Sequence, residues 1–473
     1  MIDKIKNFKN LSPVAKASLA LLFANLVLKG LSMISGPIFT RLMPADQYGV
    51  VSTFTSWQTM LTALVTLNLG SGVFNNGMLE FKEDRSSFQF SLIVVSCSSA
   101  LLFLVVFQVF KQQLLEIFEM PEQLAYLLFL YYFFVPIFGY WSGRQRFEYK
   151  YKLLTLLTIL IAVVSLGLGV ISVVSVPDDN KAIARIIATD LPKIIVGFFF
   201  LIYIGVKAKF RAKTKYMAYA VKFNLPLLPH YLSMYVLSSS DRIMITKIVG
   251  AAYTAIYAVS YTVGMIINIV WTSVESAIAP WIYEKLNVKD YKSVRSRTFQ
   301  ILVFFAVLSN FCALFAPEII WILAPKQYYE GVYIIPSIAA SSFFIAAYSM
   351  HMRVELFYKQ TVFATVCTCI AAMTNIVLNY IFIPMFGYIA AGYTTLACYT
   401  LLFALHSINV HMRGFSNAID SKKIWLLAVI VLITSCFMNV VYRYTVLRFG
   451  LILIILSILI IKRDAIVKLF KKK

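Results

Sequence analysis

The sequence predicts an all-α integral membrane protein of about 14 transmembrane helices, arranged as two six-helix lobes around a central cleft with two further helices at the C-terminus. Composition, the spacing of apolar runs and the alternation of positive charge predict it. Of 473 residues, 60% are apolar and 14% charged, against about 25% charged in an average soluble domain. A spanning helix needs about 20 apolar residues, and the chain is built almost wholly of such runs. No polar stretch is long enough to fold as a separate soluble domain.

The spans follow in order. The first, 17–39, is too long for the apolar core of a signal peptide and carries Lys29 in its middle. A Pro-containing break precedes 49–71, and the charged stretch around Lys82 and Arg85 precedes 88–110. Spans 123–142 and 153–175 are divided by Arg144, Arg146, Lys150 and Lys152, and 184–206 ends in a basic stretch running to Lys222. Span 223–249 is the most polar: Pro226, Pro229, His230 and Ser238 to Ser240 are tolerated in a bilayer only against protein or a wet cavity, so it should line the cleft. Then come 253–277, 299–323, 332–352, 361–384, 388–409, 424–443 and 446–461.

Orientation follows from charge. With the N-terminus in the cytoplasm, 32 of the 43 Lys and Arg fall on cytoplasmic segments and 8 on the outer side, alternating loop after loop. That is the distribution expected of a multi-pass protein of the cytoplasmic membrane with both termini inside. The net charge of +22 therefore reads as topology, and no basic surface of domain size exists to bind nucleic acid. The six cysteines lie within apolar runs without a CxxC pair and read as packing residues. No metal or other cofactor is expected.

An internal repeat is visible. Arg41-Leu42-Met43-Pro44-Ala45 and Lys247-Ile248-Val249-Gly250-Ala251 both read basic, apolar, apolar, turn-former, alanine, at an offset of 206 that also carries the basic loop at 82–85 onto the charged loop at 285–292. Six spans separate the copies, so the halves share an orientation and should be related by an axis along the membrane normal. The expected organisation is an N-terminal lobe (1–210), a C-terminal lobe (211–415) and a C-terminal helix pair with a basic tail (416–473).

The span count, the two halves and the segments RLMPADQYGV, SSSDRIMITKIVGAAYTAIYAVSY and AIAPWIYEKL resemble the polysaccharide repeat-unit (O-antigen and capsule) flippases, of the superfamily that holds the MATE drug exporters and lipid II flippases. The resemblance covers essentially the whole chain. It implies an undecaprenyl-diphosphate-linked oligosaccharide as substrate, moved from the inner to the outer leaflet of a bacterial cytoplasmic membrane, and an association with membrane lipids and the polymerase of the same pathway. A drug or lipid II as cargo is the alternative within the fold. The extra helix pair favours a lipid-linked cargo, because the resemblance associates drug exporters with twelve spans. An enzyme reading, as polymerase or glycosyltransferase, lacks support: there is no DxD pair, no ligand cluster among four histidines and no long outer loop.

Ionisable groups within a bilayer cost about 2.5 to 3.5 kcal/mol each, so each needs a reason. Lys29, Lys193 and Arg242 lie inside spans and Arg353 closes a span on the cytoplasmic side. These four cations form a ladder for a diphosphate, which a guanidinium grips in bidentate fashion and an ammonium attracts as a point charge. The alternative is that Asp190 with Lys193, and Asp241 with Arg242, are structural ion pairs. Asp190, Asp241 and Glu275 are the candidates for coupling to H⁺ or Na⁺. His230, Asn25, Asn224, Asn375 and Asn379 are candidates for lining the cleft. Interhelical hydrogen bonding is the competing role for Gln58 and the asparagines. No Gly is followed by Lys, which removes a phosphate-binding Walker loop. The membrane potential supplies about 2.3 kcal/mol per charge per 100 mV, or about 4.6 kcal/mol for a diphosphate carrying two charges. Potential alone and ion antiport both remain open as the drive.

Overall fold

The structure is a computed structural model that describes residues 13–461; the expected basic tail at 462–473 lies outside the described residues, as do residues 1–12. Among the described residues every regular element is helical. The helices are α1 (Pro13–Leu42), α2 (Ala45–Val65), α3 (Gly72–Glu80), α4 (Arg85–Val109), α5 (Lys111–Phe118), α6 (Glu122–Phe147), α7 (Tyr151–Ser175), α8 (Lys181–Lys207) and α9 (Thr214–Asn224). They continue with α10 (Leu228–Ile248), α11 (Ala251–Gly264), α12 (Ile266–Asn287), α13 (Tyr291–Leu314), α14 (Ala316–Leu323) and α15 (Ile335–Phe357). The last four are α16 (Thr361–Phe386), α17 (Ile389–Met412), α18 (Ser421–Val441) and α19 (Thr445–Ile461).

Nine described helices are long and apolar enough to cross a bilayer, and two bent pairs raise the number to 11 if each is one span. The pairs are α11 with α12, bent by 40°, and a 3₁₀ segment at Lys326–Tyr333 with α15, bent by 53°. The three remaining apolar runs coincide with α2, α10 and α19. The first two carry too much polar content to meet that standard, and α19 is 17 residues long. This is a multi-span helical membrane protein.

The repeat read from sequence reappears in the helix boundaries. Helix α1 ends at Leu42 and α2 begins at Ala45; α10 ends at Ile248 and α11 begins at Ala251. Pro44 and Gly250 occupy the equivalent breaks, and Gly250 has φ 119°, a conformation that costs glycine alone little. Helix α4 begins at Arg85 and α13 at Tyr291, the same offset again.

The chain divides into two compact units, Met1–Ser239 and Ser240–Lys473, so the boundary falls inside α10. In the first unit α8 packs along α6 and α7, and α1 packs on α7. The approach of α8 to α6 is close at Gly197, where a Cβ would lie 2.2 Å from the Phe134 carbonyl oxygen. Helix α9, expected to open the C-terminal lobe, packs on α3 and α4 of this unit through Tyr216 and Tyr219 against Phe81 and Phe88. In the second unit α15 is central: buried on every side, it packs against α11, α12, α13, α17 and α18. Glycines of its neighbours allow the close approach: a Cβ on Gly264 of α11 would lie 2.6 Å from Ile338, and one on Gly392 of α17 would lie 2.7 Å from the Ser337 hydroxyl. Helices α18 and α19, the expected separate pair, pack on α13 of this unit.

Candidate functional site

Both units bury carboxylates, and each carboxylate is held differently. In the first unit Asp190, 4% exposed, sits on α8 one turn before the half-exposed Lys193, whose Nζ lies 2.7 Å from Oδ1. Gln58 of α2 donates through Nε2 to Oδ2 at 2.7 Å, and its own carbonyl accepts from the Tyr132 hydroxyl of α6 at 3.1 Å. Three helices are thus tied through one charge. The ion-pair reading of Asp190 with Lys193 describes this arrangement, and Gln58 serves as interhelical hydrogen bonding.

In the second unit Asp241 is 1% exposed. Its carboxylate accepts from the Tyr257 hydroxyl of α11 at 2.6 Å, Asn379 Nδ2 of α16 at 2.6 Å and the Thr395 hydroxyl of α17 at 2.7 Å. Asn375 Oδ1, one turn from Asn379, accepts from Ser240 at 2.8 Å. Four helices therefore meet on one acidic residue. The guanidinium of the neighbouring Arg242 lies over the Tyr261 ring, 4.4 Å from its centroid. Asn375 and Asn379, expected to line a cleft, are fully buried and belong to this shell; a carboxylate in a low-dielectric interior demands donors, and the two amides one turn apart supply and orient them. An apolar pocket of about 520 Å³ between α16 and α17 reaches the network through Thr394, whose hydroxyl donates to Asn379.

The remaining expected residues scatter. Glu275 of α12 and Arg353 of α15, assigned separate roles from sequence, pair with each other at 2.7 Å. Asn224 is fully buried at the end of α9 rather than open to a cavity. Its amide donates to the Leu67 carbonyl, bracing a turn in which Leu67 and Asn68 have φ of 53° and 48°. A part-buried carbonyl in such a turn needs a donor, and Asn224 provides one. Lys29 is half-buried and Asn25, one turn earlier on α1, is exposed. His230 is half-buried on α10 with its ring 5.8 Å from that of Tyr231.

Sequence reasoning placed Glu355 at the cytoplasmic close of a span and assigned it no role, yet it is a third buried acid. Glu355 of α15 is fully buried, with His406 Nδ1 at 2.6 Å from Oε2 and Asn409 Nδ2 donating to Oε1 at 2.7 Å. The available signal was periodic: His351 and Glu355 share a face of α15, as His406 and Asn409 share one of α17. Tyr257 and Thr395 were also missed, since neither is unusual in an apolar helix.

Comparison with known proteins places this architecture. Residues 14–285 match the model of a family described as "Polysaccharide biosynthesis protein". Over 110 residues the chain is 29% identical to the Lsg locus putative protein 1 of Haemophilus influenzae, a stretch that is 22% of this chain and 27% of that relative. The fold matches a lipid II flippase, MurJ, in an inward closed conformation with a TM-score of 0.65 and 16% identity, covering 96% of this chain and 100% of that one. It also matches an inward-facing multidrug resistance MATE family transporter with a TM-score of 0.61 and 12% identity, covering 85% and 98%. These solved structures are a flippase and a transporter, not enzymes. With more than half its length matched and the all-helical fold in place, the chain belongs to the polysaccharide biosynthesis protein family.

Proposed function

We propose that the chain moves a lipid-diphosphate-linked oligosaccharide repeat unit from the inner to the outer leaflet of the cytoplasmic membrane by alternating access, for O-antigen, capsule or exopolysaccharide assembly. The observation that carries this reading is the family match across 14–285 in a chain whose fold is that of a lipid II flippase. The lipid carrier is taken as undecaprenyl, and the basic loops are taken to face the cytoplasm. Lys29 and Arg242 are assigned the diphosphate. Arg242 brings a planar fork that matches two phosphate oxygens, and Lys29 brings a point charge halfway along α1. Lys193 and Arg353 complete the set of cations, and each also neutralises a carboxylate. Asp190, Asp241 and Glu275 are the coupling candidates for H⁺ or Na⁺.

The test is translocation in sealed vesicles holding the purified protein, with a lipid-diphosphate-linked glycan labelled in one leaflet, with and without an imposed potential. Label is expected to reach the other leaflet with wild type and with Lys326→Ala, whose side chain is exposed. It is expected to stay in place with Lys29→Ala and Arg242→Ala while both proteins remain in the membrane. Transfer at the wild-type rate by both interior variants removes the headgroup assignment. No movement of the glycan lipid, with efflux of cationic dyes under an ion gradient, makes the chain a drug exporter.

A further inference from the structure

The Glu355 cluster is used by nothing in the reading above, and its geometry specifies where a proton can go. Asn409 approaches Oε1 with an amide, a donor, so Oε1 is an acceptor. Any proton shared with His406 therefore lies on the line between Oε2 and Nδ1, which are 2.6 Å apart. One proton occupies that line whether it is written on the imidazole or on the carboxyl, and two would collide there. The other ring nitrogen of His406, Nε2, is buried and has no hydrogen-bond partner among the described residues. Only Nε2 is left to gain or lose a proton.

The charge of the cluster turns on that atom. With Nε2 bare the pair carries one net negative charge in a fully buried position; with Nε2 protonated it is neutral. No lysine or arginine forms an ion pair with Glu355 among the described residues. Arg353, two residues away on α15, is committed to Glu275 of α12, and Arg295 of α13 pairs with Asp420 beside α18. From α15 itself, Tyr348 stacks on the His406 ring at 5.8 Å. His351 is satisfied as a neutral ring, with Nδ1 2.8 Å from the Ala347 carbonyl and Nε2 3.4 Å from the Ser421 hydroxyl of α18. From α16 come the Phe363 edge, 6.2 Å away, and the buried Cys367 thiol, within electrostatic range of Glu355. Beyond the Asn409 amide, no cationic side chain among the described residues offsets the buried acid, and a proton on Nε2 would do so.

We propose that Glu355 and His406 form a proton-binding site in the second unit, which takes a proton from water onto His406 Nε2 and returns it to water when the ends of α15 and α17 open during transport. The water is that of the cytoplasmic side: the C-terminal ends of α15 and α17 and the N-terminal ends of α16 and α18 meet at the face that carries Lys359, Arg413, Lys422 and Lys423. This site is distinct from the coupling candidates named above and rests on the transporter reading for its role, not for its existence.

The chain has four histidines, so selective ¹⁵N-histidine labelling of the full-length protein in lipid nanodiscs yields four ring systems. His406 is assigned by H406N, or by elimination from variants of His230, His351 and His411 should H406N fail to accumulate. At a pH of about 7.5 Nε2 of His406 is expected to carry a hydrogen, because no cationic side chain pairs with the buried Glu355 among the described residues. A bare Nε2 beside a protonated Nδ1 at that pH overturns the site. In the vesicle assay, wild-type translocation is expected to change several-fold as the pH on the cytoplasmic side is moved from about 6 to about 8. E355Q and H406N are expected to lose that response. A wild-type pH profile retained by either variant overturns the transport role. If the glycan lipid does not move at all, the cargo reading falls while the nitrogen measurement still decides the site.

Discussion

Replacing Asp241 separates a structural acid from a working one. The carboxylate organises three donors from three helices, at 2.6, 2.6 and 2.7 Å, in a site 1% exposed. Asp241→Ala leaves the Tyr257 and Thr395 hydroxyls and one Asn379 hydrogen without an acceptor. Each orphaned donor costs about 1 to 3 kcal/mol, for a gross loss of about 3 to 9 kcal/mol. Removing a buried charge returns several kcal/mol of desolvation, so the net destabilisation falls near 3 kcal/mol. Asp241→Asn keeps one carbonyl oxygen able to accept two of the three donors and sets an amide against the third, at about 1 kcal/mol net. The assay is apparent thermal unfolding of the purified protein in detergent at a fixed scan rate, which ranks variants even where unfolding is irreversible. The expected order is wild type, then Asp241→Asn, then Asp241→Ala. Tyr257→Phe combined with Asp241→Ala should cost less than the sum of the two, with a coupling of about 0.5 to 3 kcal/mol. An alanine variant as stable as wild type, with additive behaviour beside Tyr257→Phe, refutes the reasoning. If Asp241 also couples an ion, Asp241→Asn retains the fold and loses translocation.

Two further outcomes follow from buried pairs. Lys193→Met leaves the Asp190 carboxylate with the Gln58 amide but without its cation and should lower the unfolding temperature, whereas Asp190→Asn added to it should recover most of the loss; a double variant no better than the single one counts against the pair. Arg448 of α19 grips Glu318 of α14 in a bidentate pair, with N–O distances of 2.5 and 2.9 Å, so Arg448→Ala should expose the connection between α18 and α19 to limited proteolysis while the first unit keeps its wild-type digestion pattern; an unchanged pattern throughout removes that clamp.

Much of the fold was legible because bilayer solvation acts on each segment separately. A backbone with no water to bond must close its hydrogen bonds locally, so an apolar run of sufficient length becomes a helix whatever its neighbours do. Pro44 and Gly250 mark equivalent breaks for an equally local reason, the one lacking a backbone N–H and the other free of a Cβ. Asp190 with Lys193 was readable too, since residues three apart on a helix face the same way. The site resisted where its partners are distant in sequence. Asp241 meets Asn379 and Thr395 across 138 and 154 residues, and Glu355 meets His406 and Asn409 across 51 and 54. Arg353 and Glu275 looked like independent functional groups until packing placed them 2.7 Å apart.

Local sequence sufficed to establish that the chain is a helical membrane protein, where its long apolar segments lie, that a junction recurs at an offset of 206, and which few charges stand inside apolar segments. Each of those properties is set by a residue and its neighbours along one helix. Which groups hold the other interior acids was decided by packing: that Glu275 meets Arg353, that Asp241 rests on hydroxyls and amides, and that Glu355 rests on an imidazole. In a low-dielectric interior the state of a charge depends on the few groups within about 3 Å of it. Only the packing of helices far apart in the chain selects those groups.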